Sequence, residues 1–166
     1  MYKRLSYQLY RKIDKHYLAN NIYDPYLLQK FGRVPKAYVG LGECHRTSLL
    51  IKYCLPFPKV GLYLSTKDQL FIEHTRLPVY NHVFLKTDDL IIDPTYKQLF
   101  FWPIGDINKW DSPYAEYLQN LDPVFIGTND QLETLINQLK ERRDMDSYHK
   151  NDIWIVDWYE TAKFIE

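Results

Sequence analysis

The chain has 166 residues, 46% of them hydrophobic and 25% charged, a balance that suits one folded domain and excludes a disordered chain. Lys plus Arg equals Asp plus Glu at 21 each, so no whole-molecule field draws the chain to nucleic acid or to an anionic membrane. No stretch has the length and apolarity of a signal peptide or a membrane span. The expectation is a soluble cytoplasmic protein, with signal-independent export left open.

Leu5, Leu9, Ile13 and Tyr17 recur every four residues among Arg and Lys, which predicts an amphipathic, core-packing helix over residues 3–18. Residues 20–43 hold Asn20-Asn21, Asp24-Pro25, Gly32, Pro35, Gly40 and Gly42, the chemistry of turns and loops. A second helix is predicted over 44–55, with Thr47, Leu50, Ile51, Cys54 and Leu55 on one face and Pro56 and Pro58 as the stop. Strand-like runs follow at 59–65, 69–74, 81–86 and 90–93. Turn signals separate them at Thr66-Lys67-Asp68, Arg76-Leu77-Pro78 and Thr87-Asp88-Asp89, a spacing that favours an antiparallel meander over βαβ units. The last third predicts a short helix over 114–121, a brief strand over 124–126, and a helix over 130–143 capped by Thr128. The segment IWIVDWYETAKF, residues 153–164, is ambiguous between strand and helix. No repeat or linker divides the chain, so a single α+β domain over 1–166 is expected.

Three residues carry chemistry in order: Cys44 in GLGECHRTSLL, His82 in YNHVFLKT and Asp93 in DDLIIDPTYKQ. A helix start suits a nucleophilic cysteine, because its unpaired N–H groups and the positive end of the helix dipole stabilise a thiolate. His82 would take the thiol proton and return it to a leaving group, and Asp93 would fix the imidazole tautomer. A hairpin turning at Thr87-Asp88-Asp89 would make His82 and Asp93 neighbours. Their odd separation requires a suitable register or a bulge to put both on one face. Taken singly, each residue has a structural explanation: a packed cysteine, a strand histidine, an Asp-Pro turn. Order and context together favour catalysis.

Other constellations are weaker. Cys44, His45, His74, His82 and Asp93 offer metal-type ligands without Cys-x-x-Cys or His-x-x-x-His spacing, and no Walker or dinucleotide fingerprint appears. No metal and no cofactor are expected. Ser48 lacks a nucleophile-elbow context. His16 and His149 read as surface or partly packed residues. Cys44 and Cys54 lie roughly 15 Å apart along a common helix, beyond disulfide reach, and Cys54 reads as a packing residue.

Gly42-x-Cys44 opening a helix, then Asn81-His82-Val83-Phe84-Leu85, then Ile92-Asp93-Pro94-Thr95 resembles the core of the transglutaminase-like superfamily of papain-like fold. The resemblance covers about residues 40–98. It implies a catalytic helix packed on an antiparallel sheet, with flanking helices, and a Cys-His-Asp triad that works through an acyl-enzyme. His45 after Cys44 departs from many relatives, and no upstream tryptophan or glutamine clearly completes an oxyanion hole. Gln29 is a candidate donor there; Gln98 is a candidate for lining the pocket or for a structural amide after the Asp-Pro-Thr turn.

The sequence therefore predicts a cysteine-dependent acyl-transfer enzyme acting on an amide or ester of a protein or peptide, without nucleic acid or membrane partners. Small size favours a peptidase or deamidase over a cross-linking transglutaminase. The alternative is an inactive protein of the same fold that serves as a protein-binding module.

Overall fold

In a computed structural model, the structure describes residues 2–22, 43–66, 81–101, 113–142 and 159–166. Helix α1 spans Lys3–Ala19 and buries Ser6, Leu9, Ile13 and Tyr17, the expected four-residue stripe with Ser6 added at its start. Ser6 earns its place through a hydrogen bond, because its Oγ accepts from Val124 N at 2.9 Å. The helix closes in a Schellman motif. Asn21 takes a left-handed φ of 53°, Ile22 N–H bonds Tyr17 O at 3.0 Å, and Asn21 N–H reaches Leu18 O at 3.4 Å. The Asn20-Asn21 turn signal thus becomes a helix stop.

Helix α2 spans Cys44–Lys52. It ends three residues before the predicted Leu55, and its buried face is Thr47, Ser48 and Ile51 rather than the stripe ending in Cys54 and Leu55. Pro56 disfavours helical backbone at Leu55, and a tight Cys54 N–H bond to Ile51 O at 2.9 Å closes the chain earlier. Strand β1 spans Gly61–Thr66. It starts later than the predicted residue 59 because Lys59 adopts a positive φ of 53°. Strand β2 spans Asn81–Lys86 and β3 spans Ile91–Asp93. Their hairpin turn is held by Thr87, whose N–H bonds Leu90 O at 2.9 Å and whose Oγ1 accepts from Leu90 N at 3.0 Å. The strand expected over 69–74 lies outside the described residues.

A short helix α3, Gln98–Phe101, follows the Asp-Pro-Thr turn and was not predicted. Helix α4 covers Pro113–Asn120, strand β4 Phe125–Gly127 and helix α5 Asn129–Arg142. Thr128 caps α5 in a reciprocal box: Gln131 N donates to Thr128 Oγ1 at 3.3 Å, and Thr128 N donates to Gln131 Oε1 at 2.9 Å. Within the ambiguous carboxy-terminal segment, Lys163–Phe164 forms strand β5. Gly61 lets this strand approach, since a Cβ there would meet the Phe164 ring at 3.0 Å.

The result is an α+β protein whose five strands form one antiparallel sheet in the order β4-β3-β2-β1-β5. Helix α2 lies against β1 and β2, and α1 packs on α2. Ile13, Ile51, Leu62, Phe84, Leu85, Ile92, Leu99 and Leu118 are fully enclosed. Each such side chain contributes about 1.5–3 kcal/mol by leaving water. Among the described residues no helix is long and apolar enough to cross a membrane.

Candidate functional site

Cys44 is the first residue of α2. The cap residue Glu43 makes no side-chain capping hydrogen bond, its carboxylate pairing instead with Arg46 Nε at 3.4 Å, so it does not occupy the N–H groups of the first turn. The thiol lies close enough to the His82 side chain and the Val83 backbone for both to favour its ionised form. One turn on, Ser48 Oγ donates to Val83 O at 3.2 Å. Both groups of α2 therefore meet the same residue of β2, which fixes the cysteine beside the histidine. From α1, the Tyr17 hydroxyl bonds Thr47 Oγ1, and Thr47 Oγ1 also donates to Glu43 O at 2.7 Å. These contacts anchor the first turn of α2 from behind.

Register settles how His82 and Asp93, 11 residues apart, share one face. Strands β2 and β3 pair Leu85 with Ile92 and Lys86 with Ile91. Continuing that register sets Asp93 across from Phe84, two residues from His82 and on the same side of the sheet. No bulge is needed. His82 Nε2 lies 2.6 Å from Asp93 Oδ2, with both side chains 0% exposed. Asp93 also accepts from Thr95 N at 2.8 Å and Thr95 Oγ1 at 3.4 Å, through Oδ1.

The turn after Asp93 is pinned from below. Tyr96 donates its hydroxyl to Asp122 O at 2.5 Å. Lys97 donates to Gln119 O at 3.3 Å and Leu121 O at 2.7 Å, capping the carbonyl end of α4 where a cation is favoured. These anchors bring Gln98 back over the imidazole: its Nε2 lies 3.2 Å from His82 Nδ1 and 3.2 Å from Thr95 Oγ1. Cys44, His82, Asp93 and Gln98 are thus brought together. Gln29 lies outside the described residues.

Sequence reasoning missed Tyr159. Its hydroxyl donates to Asp93 Oδ2 at 2.6 Å, and its ring packs edge-on against Phe84 at 4.8 Å and His82 at 5.9 Å. It comes from 66 residues downstream of Asp93, in a segment without a clear period. No local signal marks it; the pairing of β5 with β1 returns that segment to the site.

The electrostatics follow from this packing. Burial opposes ionisation of the Cys44 thiol, but the hydrogen bond and charge of His82, with the Val83 backbone, outweigh it and lower its pKa. Burial likewise works against a charged His82, yet the Asp93 carboxylate and then Cys44 raise its pKa well above the usual histidine range. Burial, reinforced by the Asp93 charge, raises Tyr159 well above the ordinary phenol value, so it stays a donor. Cys44 is half-buried while His82, Asp93, Thr95, Gln98 and Tyr159 are all enclosed. Cys54 is also half-buried, and its thiol donates to Leu50 O at 3.7 Å. Among the described residues no three His, Cys, Asp or Glu side chains gather as metal ligands.

The chain matches no family model, no curated protein and no solved structure.

Proposed function

We propose that the protein is a cysteine-dependent acyl-transfer enzyme with a papain-like, transglutaminase-like core, acting on an amide or ester carbonyl of a protein or peptide. The observation that carries this reading is the continuous chain from the Cys44 thiol through His82 to Asp93, starting at a helix amino terminus. The thiol proton passes to His82. With Nε2 committed to Asp93, Nδ1 is the nitrogen that receives it. The thiolate attacks the carbonyl carbon, and first-turn N–H groups of α2 are suited to hold the oxyanion. His82 then protonates the departing amine or alcohol, leaving an acyl group on Cys44. Water as acceptor gives a peptidase or glutamine deamidase; an amine gives transfer. Hydrolysis is the outcome to test first.

The complete burial of His82 favours a second reading, in which the same fold serves as a protein-binding module without turnover. One experiment separates the two. The protein is incubated with an activated ester and with a glutamine-containing peptide, quenched in acid and digested for mass spectrometry. The enzyme reading expects an acyl group on Cys44, absent in Cys44→Ser, and its release to water faster than to an added amine. No adduct on Cys44 with either class of substrate rejects the reading in favour of the binding module.

A further inference from the structure

Gln98 Nε2 sits between two atoms whose roles determine how the amide is turned. Thr95 has one hydroxyl proton, and its Oγ1 lies 3.4 Å from Asp93 Oδ1, a carboxylate oxygen that only accepts. With that proton directed to Asp93, Thr95 Oγ1 accepts from Gln98, so the amide nitrogen must be the atom on that side. The same nitrogen is 3.2 Å from His82 Nδ1, within reach of donating to that ring atom as well. A protonated Nδ1 would then set donor against donor.

We propose that Gln98 is a positioning residue that works against the second protonation of His82, with the ring proton on Nε2 toward Asp93 and the amide N–H directed at Nδ1. The proposal rests on the catalytic reading of Cys44 and His82 and deepens it by naming what restrains the proton transfer between them. Among the described residues, the titratable groups facing His82 are Cys44 from α2, Asp93 from β3 and Tyr159 from the carboxy-terminal segment. Asp93 draws a second proton onto the ring; the Gln98 N–H opposes it. Gln98 thereby limits how much thiolate–imidazolium pair forms before an acyl group is present. When the thiol proton does reach Nδ1, the amide must withdraw or turn its oxygen to the ring.

The test uses the full chain with Cys54→Ala, so that alkylation reports Cys44 alone. Gln98→Met keeps the length and removes the donor; Gln98→Glu replaces the donor with an acceptor. Cys44 alkylation is followed against pH, and the ring nitrogens of His82 are followed by 15N NMR. The expected result for Gln98→Met is a reactivity profile moved to lower pH by about half to one unit, the worth of one neutral hydrogen bond. The ring spectrum moves in parallel toward the doubly protonated form, and further in Gln98→Glu. An unmoved ring spectrum in both folded variants, or a shift toward the neutral ring, overturns the proposal. If His82→Ala leaves the parent profile unchanged, the catalytic reading fails instead, and the ring spectrum still decides the role of Gln98.

Discussion

Tyr159 donates its hydroxyl to Asp93 Oδ2 at 2.6 Å, the same carboxylate oxygen that faces His82 Nε2. One oxygen is therefore shared between His82 and a tyrosine from the carboxy-terminal segment. That sharing fixes the carboxylate plane, and through it the orientation of the imidazole.

Tyr159→Phe removes this donor while keeping the ring that packs on Phe84. Cys44 alkylation is expected to slow by about tenfold, the worth of a hydrogen bond to a charged group. Thermal unfolding should show the same cooperative transition. Labelling at the parent rate would reduce Tyr159 to a packing residue.

Asp93→Asn tests the orienting carboxylate itself. The amide can still accept from Thr95 N, so much of the turn survives, but it cannot stabilise imidazolium charge. The His82 pKa should fall because its main support is lost, and Cys44 should then need a higher pH to ionise. At neutral pH a loss of about 10²-fold in alkylation rate is expected. Asp89→Asn, in the exposed hairpin turn, is the control and should change little. Equal rates in the two folded variants would remove Asp93 from the site.

Cys54→Ala should cost on the order of 1 kcal/mol, because only a half-buried thiol and its packing are lost. Chemical denaturation measures that cost. Electrophile labelling should persist on Cys44, and its disappearance from the folded variant would mean that Cys54 is the reactive thiol.

Thr128→Ala should lower stability by about 1 kcal/mol by opening the capping box of α5. Cys44 labelling should be unaffected in the folded protein. Denaturant melts and labelling on the same sample separate the two effects.

The parts of this site that were legible in the sequence are those built from local pattern. Cys44 opens a helix where turn-forming residue types in the sequence give way to an apolar period, and His82 and Asp93 lie in neighbouring strands because Thr87 can close a short turn. The register between those strands was not legible. It depends on the hydrogen bonds of one turn and on which faces Leu85 and Ile92 bury, neither of which alternation alone decides. The end of α2 was overestimated because the apolar period runs through Cys54 and Leu55, whereas Pro56 and the tight turn at Cys54 win locally. The roles of Tyr159 and Ser6 were invisible for a different reason. Both are long-range hydrogen bonds, created only when distant elements pack.

The most direct test of the central claim is the pH dependence of Cys44 alkylation in Cys54→Ala protein, with and without His82→Ala. The imidazole lowers the thiol pKa and burial raises it, so the sign is determined by which remains. With His82 present, the alkylation rate should rise at a pH below the ordinary thiol value of 9.0. Without it, burial takes over: the rise should move above 9.0, and the rate at neutral pH should drop by about 10²-fold or more. Superimposable profiles from the two folded proteins, both rising near 9.0, would contradict an activated Cys44–His82 pair.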